Sequence, residues 1–453
     1  MTEWVFNRDR AQCFRFVRCD FSADTGVATL VYAFDDGPEL IEAIQFPGAP
    51  FKIEPDRNSA IEHALHILHL IAGVSYYKAA VPASLVIESC EIDQVTAAML
   101  QSIYENGLGE FAYRNDLNLR GKICFPCSQQ KTSIAPSLNL REHALVAIGG
   151  GKDSLVSIET LRMLNVPQTV TWIGNSALIA NCAAHTKLPT LNISRTLSPR
   201  LFDFNKQGAY NGHIPVTAIN SAILVLAALL TNSNQVVFSN EHSASYGSLI
   251  PGTGEVNHQW SKGWNFEQMF SKYVVSHIAT DLQYYSLLRP YSELAVTRQF
   301  AKLDKYDAYF SSCNRNFHIL GKRPTQRWCG QCPKCHFVFL ALAPFMPKPR
   351  LLAIFGRNLL DDLSLTADFD ALLEYTQHKP FECVGEGRES RAAMLSLSSK
   401  PAWREDSVVA RFCRDILPQI KDSIVDIESL LAPHSEHAIP PRLWERIRAN
   451  FSA

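Results

Sequence analysis

The stretch ALVAIGGGKDSLVSIETL, residues 144–161, holds three successive glycines between two apolar runs. Residues 145–148 read as a buried parallel strand, and from Ser154 onward Leu155, Val156, Ile158 and Leu161 recur at helical spacing. Strand, glycine turn and helix in that order aim backbone N–H groups and the positive end of a helix at one point. Such a point suits an anion, phosphate above all. An ordinary strand-to-helix connection needs no glycine triplet, because each glycine costs ordering entropy unless positive φ or close backbone approach is required. The loop is neither a Walker loop, whose glycines are more widely spaced, nor the G-x-G-x-x-G turn of dinucleotide folds.

A chain of 453 residues with 47% hydrophobic content can bury a large core, and its length suggests two to three domains. The formal net charge of −1 supplies no basic field for nucleic acid. The opening MTEWVFNRDRAQ has no apolar core region and does not read as a secretory signal. The most apolar helix candidate, residues 216–230, is interrupted by Thr217, Asn220 and Ser221 and falls short of the ~20 residues that cross a bilayer. Twelve cysteines without a secretory signal point to reduced thiols or metal ligands rather than disulfides. The expectation is a cytoplasmic protein with neither nucleic acid nor membrane as partner; oligomeric state is not readable.

Residues 1–135 mix strand-like runs such as VATLVYAF (27–34) with a helical pattern, AIEHALHILHLIAGV (60–74), and are expected to form an N-terminal α+β domain. After a polar stretch at 128–143, strand candidates at 145–148, 169–173, 190–193 and 235–239 alternate with helical patterns. That alternation predicts an α/β domain over residues 140–345, a doubly wound parallel sheet with ligands at the carboxyl ends of its strands. Residues 346–453 read as a mostly helical region. Gly174, at the end of the second strand, is a ligand-side candidate. SNEHSASYG (239–247) follows the last strand, so Asn240, Glu241 and His242 are expected to overhang the same place, with a helix cap as Glu241's plainer role. NGHIPVTAIN (211–220) opens the long buried helix, carries His213, and offers free N–H groups to a carboxylate or phosphate.

A second motif lies in WCGQCPKC, which spaces Cys329, Cys332 and Cys335 as C-x2-C-x2-C, with Cys313 upstream in FSSCNRNF. Four thiolates so arranged can close a tetrahedral zinc site, with an iron–sulfur cluster or buried free thiols as alternatives. A closed all-sulfur site has no open position for substrate, so its role is structural. Cys124 and Cys127 (C-F-P-C) have no partner pair nearby, and His63, His66 and His69 share a helix face without a carboxylate or thiol. Both read better as incidental.

The order Gly149-Gly150-Gly151-Lys152-Asp153-Ser154 resembles the Ser-Gly-Gly-x-Asp-Ser loop of the PP-loop ATP pyrophosphatases, with Gly149 in the serine position. The resemblance implies that ATP is split into AMP and pyrophosphate. The loop amides would hold the pyrophosphate, Asp153 would ligate its Mg²⁺, and Glu241 would complete the shell, since Mg²⁺ wants oxygen ligands. The cysteine layout resembles the clasp of 7-cyano-7-deazaguanine synthases. Over nearly the whole chain, RCDFSADTGVATLVYAFDDGPELIE, GGGKDSLVSIE, SNEHSAS, RWCGQCPKC and FECVGEGRES together resemble the UDP-N-acetyl-α-D-muramoyl-L-alanyl-L-glutamate epimerases of certain Gram-negative bacteria. What that implies is ATP-dependent inversion of the terminal L-Glu of UDP-MurNAc-L-Ala-L-Glu to D-Glu, for peptidoglycan synthesis.

The chemistry agrees with the loop. A proton beside an ionised carboxylate is barely acidic, and adenylation of that carboxylate makes it removable by an ordinary side chain. Groups near neutral pKa are then needed on both faces of the α-carbon. His213, His242 and Cys383 are the candidates, from their places in site-forming segments. The alternatives are a PP-loop enzyme modifying a nucleobase, in the manner of a deazaguanine nitrile synthase or a tRNA-modifying enzyme, and a non-catalytic ATP-binding sensor.

Overall fold

VATLVYAF forms the central strand of an antiparallel ribbon, and the glycine stretch follows the central strand of a parallel one. A computed structural model describes residues 4–129, 134–250, 254–317, 324–376, 379–420 and 424–452. Its strands are β1 (Cys13–Ser22), β2 (Val27–Phe34), β3 (Leu40–Gln45), β4 (Ser84–Ile87), β5 (Arg141–Ala147), β6 (Gln168–Ile173), β7 (Thr190–Thr196), β8 (Ser233–Phe238), β9 (Ser248–Ile250), β10 (Gly254–Val256) and β11 (Gln283–Ser286). Among the described residues nine of them form one sheet in the order β11-β8-β5-β6-β7-β3-β2-β1-β4, and β9 and β10 make a separate hairpin. The five strands from β11 to β7 run parallel, while β7, β3, β2 and β1 pair antiparallel.

The protein is therefore a mixed α/β structure with a large sheet, and residues 13–45 extend the parallel core instead of folding apart from it. The joint is the β3–β7 pair. There the fully buried Glu42 takes Arg195 Nε at 2.7 Å and Nη2 at 3.2 Å, and Arg195 also reaches Ser75 Oγ at 2.9 Å. A bidentate buried pair of this kind fixes register, because a slip of one residue would strand both charges.

One face of the sheet is covered by helices Asn58–Ala72 and Val216–Leu230, which pack on each other. Val216–Leu230 is apolar nearly all round, and a helix of that kind belongs in a core. The other face carries helices Lys152–Met163, Glu293–Phe300 and Pro333–Leu342, with the C-terminal helices outside them. The last helix, Pro441–Ser452, is fastened where Phe451 stacks on Tyr291 (centroids 3.8 Å apart) and its carbonyl accepts from Arg298 and Gln299.

His69 is a core histidine: its ring meets the Val31 carbonyl at 3.0 Å and Ser89 Oγ at 3.2 Å. Cys124 and Cys127 lie exposed. Among the described residues no helix is long and apolar enough to cross a membrane.

Candidate active site

β5, β6 and β7 step outward in one direction, and β8 then returns to pair with β5 on its other side. The order reverses between β5 and β8, and in open α/β sheets a ligand crevice lies at the carboxyl ends of such strands. The glycine loop leaves β5 there, and Ser239, Asn240 and Glu241 leave β8 there. Both loops line a cavity of about 280 Å³.

The glycines are needed for two distinct reasons. Gly150 sits at φ +78°, a conformation side chains rarely adopt, and a Cβ on it would come within 2.9 Å of Leu178. A Cβ on Gly151 would lie 2.6 Å from Ser312 Oγ. The neighbouring Ser311 amide donates to the Gly150 carbonyl at 2.9 Å, so the loop rests on the strand of chain leading into Cys313. Gly149 has open space around it and lines the cavity. Helix Lys152–Met163 begins directly after, with its unpaired amides at the cavity, and Ser154 folds back to donate to the Gly151 carbonyl at 3.1 Å.

Three carboxylates converge beside this loop. Those of Asp153, Glu241 and Glu293 offer oxygens within 4.8 Å of one another. Two lysines answer them: the fully buried Lys152 is paired with both Asp153 and Glu293, and Lys334 lies 3.4 Å from Glu293. Burial works against the Lys152 charge, but Asp153 and Glu293 outweigh it and raise its pKa. Burial together with Glu293 and Asp153 pushes the Glu241 carboxyl well above the usual range, whereas Lys152 and Lys334 overcome burial to hold Glu293 low. The carboxyl of Glu241, which burial and its two acidic neighbours hold partly protonated, is the one whose ionisation a bound cation would favour. A hard divalent cation with oxygen preference fits that donor set.

Arg289 sets the positions of the loops. It is the largest fully buried side chain among the described residues, bonded to Glu267 at 2.9 Å and to the Glu241 carbonyl at 2.7 Å, and its other amino group meets the Lys262 carbonyl. One guanidinium thus ties the loop after β8 to the turn Trp260–Lys262.

At that turn the cavity changes character. Lys262 Nζ donates to Cys383 Sγ at 3.3 Å, and both residues line the cavity with Gln259, Thr217 and Asn220. Behind them His258 bonds through Nδ1 to the Glu110 carboxylate, and its ring lies 4.2 Å from that of His213. Burial would lower the His258 pKa, but Cys383 and Glu110 raise it to about 9; burial and His258 together bring His213 down to about 4.

The four cysteines meet as the spacing suggests. Cys313 and Cys332 are 4.0 Å apart, Cys329 and Cys335 3.7 Å, Cys332 and Cys335 3.5 Å, and all four sulfurs lie within 4.8 Å of one another. A zinc ion with ~2.3 Å bonds to sulfur sets tetrahedral edges of ~3.8 Å, so the donor set fits. The cluster is joined to the cavity on both sides. Ser311 and Ser312 floor the glycine loop, and Lys334, between two of the ligands, reaches Glu293.

Asp153, Ser154, Gly149, Gly151, Asn240, Glu241 and Cys383 all line the cavity. His242 does not: its ring stacks on His434, centroids 3.6 Å apart. Gly174 ends β6 at φ +100° and bonds to Ile193, also outside the cavity lining. His213 stands behind the cavity wall with His258. Glu110, His258, Lys262, Arg289 and Glu293 belong to the site although none sits in a motif with diagnostic spacing, and Lys334 belongs to it although the cysteine motif that contains it points only to its thiols.

These features define the class: a mixed α/β protein with a cavity at the topological switch point of its parallel strands, lined by a glycine loop and three carboxylates. The chain belongs to the MurL family. The MurL N-terminal domain model matches residues 5–287 and the MurL C-terminal domain model residues 309–425. The UDP-N-acetyl-alpha-D-muramoyl-L-alanyl-L-glutamate epimerase of Xanthomonas oryzae pv. oryzae (strain MAFF 311018) is 67% identical over 448 residues, 99% of each chain. Proteins of the same name from Micromonospora sp. (strain ATCC 39149) and Salinispora tropica are 39% and 38% identical, covering 95% and 96% of this chain and 97% and 95% of their own.

Proposed function

We propose that this protein inverts the terminal L-glutamate of UDP-MurNAc-L-Ala-L-Glu to D-glutamate in the cytoplasm, at the expense of ATP, as a step of peptidoglycan precursor synthesis. The observation that carries the reading is full-length similarity, at 67% identity, to a relative bearing that name. The ATP-dependent part rests on the PP-loop reading, supported by the glycine loop at the reversal of the strand order.

In this reading the amides of residues 149–154 would hold pyrophosphate, and Asp153, Glu241 and Glu293 would hold a Mg²⁺ whose chemistry there would be to neutralise charge on the leaving pyrophosphate. The glutamyl carboxylate attacks the α-phosphorus of ATP; an oxygen–phosphorus bond forms and pyrophosphate leaves. The acyl group is now neutral, so loss of the α-proton no longer builds a dianion. One side chain removes that proton, another returns one to the opposite face, and water releases AMP and the D-product. The proton carriers come from the end of the cavity where Lys262 and Cys383 meet the His213–His258 pair; the His242 ring stacks on His434 and is not among the lining residues. The four cysteines would hold zinc, which would clasp the segments carrying Ser311, Ser312 and Lys334 against the glycine loop and Glu293. Incubation with ATP, Mg²⁺ and UDP-MurNAc-L-Ala-L-Glu, followed by chiral analysis of glutamate and assay of AMP, tests the proposal. D-glutamate and AMP are expected together, and only with ATP; an unchanged L-residue would refute it.

A further inference from the structure

Cys383 is unlike the other described thiols. It lines the same cavity as Gly149 and Asp153, with Lys262 Nζ on its sulfur at 3.3 Å. Three remote parts of the chain meet at it. Glu110 comes from the short helix Gly109–Arg114, His258 and Lys262 from the segment after β10, and the cysteine from the loop before helix Gly387–Ser398. Glu110 is itself fixed, accepting from Arg114 at 2.6 Å while its other oxygen holds His258 Nδ1. The loop carrying the cysteine is pinned by Glu382, which accepts from Asn314 at 2.7 Å and from the Lys334 amide at 3.3 Å.

Lys262, Lys334 and His258 bear on the sulfur and Glu382 stands beside it, while Glu241 and Asp153, which line the same cavity, bear on Lys262. Burial alone would push the thiol up, as it does for Cys19 and Cys182, both raised to about 12. Lys262 and His258 reverse that and bring Cys383 down to about 5. The signs agree across the pair. Lys262 and His258 favour the ionised sulfur, and Cys383 and Glu110 favour the protonated imidazole, so each partner supports the charge of the other.

We propose that Cys383 exchanges a proton with the α-carbon on one face of the activated glutamyl residue, and that Lys262, His258 and Glu110 are the positioning residues that keep its sulfur ready. The proposal rests on the epimerase reading above. In the step, the thiolate forms an S–H bond as the α-C–H bond breaks, and the electron pair moves into the acyl carbonyl. A second group delivers a proton to the opposite face. The thiol then gives its proton to solvent once product leaves. No oxidant or further reactant is needed.

Two measurements on the full-length protein test it. The first is independent of epimerisation: alkylation by iodoacetamide, followed on the Cys383 peptide by mass spectrometry. The wild-type rate should be flat from about pH 6 to 9, whereas Lys262→Met and Glu110→Gln should show a rate rising through about pH 8, near that of a free thiol. A wild-type profile that itself rises near pH 8 overturns the proposal. The second uses both epimers of the substrate in D₂O with ATP. Cys383→Ser should lose α-deuterium incorporation from one epimer by about 10²–10⁴-fold and keep it from the other, a comparison that a misfolded protein cannot mimic. Equal exchange from both, or equal loss from both, overturns the one-face assignment. A covalent substrate adduct on Cys383 would make it a nucleophile and overturn it too. A flat alkylation profile with no exchange in the wild type would leave the thiolate in place and refute the epimerase reading instead.

Discussion

Replacement of Arg289 by methionine should be among the most damaging single changes outside the cavity. Its side chain and that of Glu267 are 0% and 1% exposed, and their Nε–Oε2 bond is 2.9 Å. Methionine keeps much of the stem volume but leaves the Glu267 charge uncompensated in the core, a loss that costs about 3–5 kcal/mol when one partner of a buried pair is removed. In a chain of this size that corresponds to a fall in melting temperature of roughly 3–10 °C. Differential scanning fluorimetry on wild type, Arg289→Met, Glu267→Gln and the double variant reads it out. The double variant should recover part of the loss, because no unpaired charge then remains. Activity should stay low even so, since the Glu241 and Lys262 carbonyls still lack the guanidinium that sets their loops. An Arg289→Met protein melting within about 1 °C of wild type would refute the reasoning.

Three further outcomes are expected. Asp153→Asn should keep the fold and lower ATP-dependent AMP release by about 10²–10³-fold, measured by coupled AMP assay. Cys332→Ser should remove about one zinc per chain by elemental analysis and lower thermal stability, because structural zinc contributes folding energy. Gly150→Ala should cost about 1–2 kcal/mol in urea titration, since Gly150 holds φ +78°, while Gly149→Ser, placed in open space, should change stability by no more than about 0.5 kcal/mol.

Local signals made the first half of the site readable. The glycine triplet, the apolar runs of β5 to β8 and the cysteine spacing each act over a few residues, and each element forms where its pattern lies. Val216–Leu230 matches its apolar run residue for residue. β11 carries no readable pattern, because it has only four residues, QYYS, and its pairing with β8 is set by tertiary placement. The junction of β3 with β7 depends on Glu42 meeting Arg195 across some 150 residues, which no local pattern encodes. The same holds for the Cys383 cluster, assembled from positions 110, 258, 262 and 383. His242 shows the converse: its segment does form the site, but the ring points to His434, and side-chain direction is not written in segment position.

The order of activation and deprotonation is tested most directly by deuterium. The protein is held with UDP-MurNAc-L-Ala-L-Glu in D₂O, with ATP, without it, and with an analogue that cannot be cleaved between the α- and β-phosphates. NMR or mass spectrometry then follows the glutamyl α-position. If the carboxylate is adenylated before the proton leaves, deuterium enters only with ATP, and the D-product carries it. Deuterium entering at the same rate without ATP would mean that an unactivated carboxylate is being deprotonated, and the glycine loop would need another purpose.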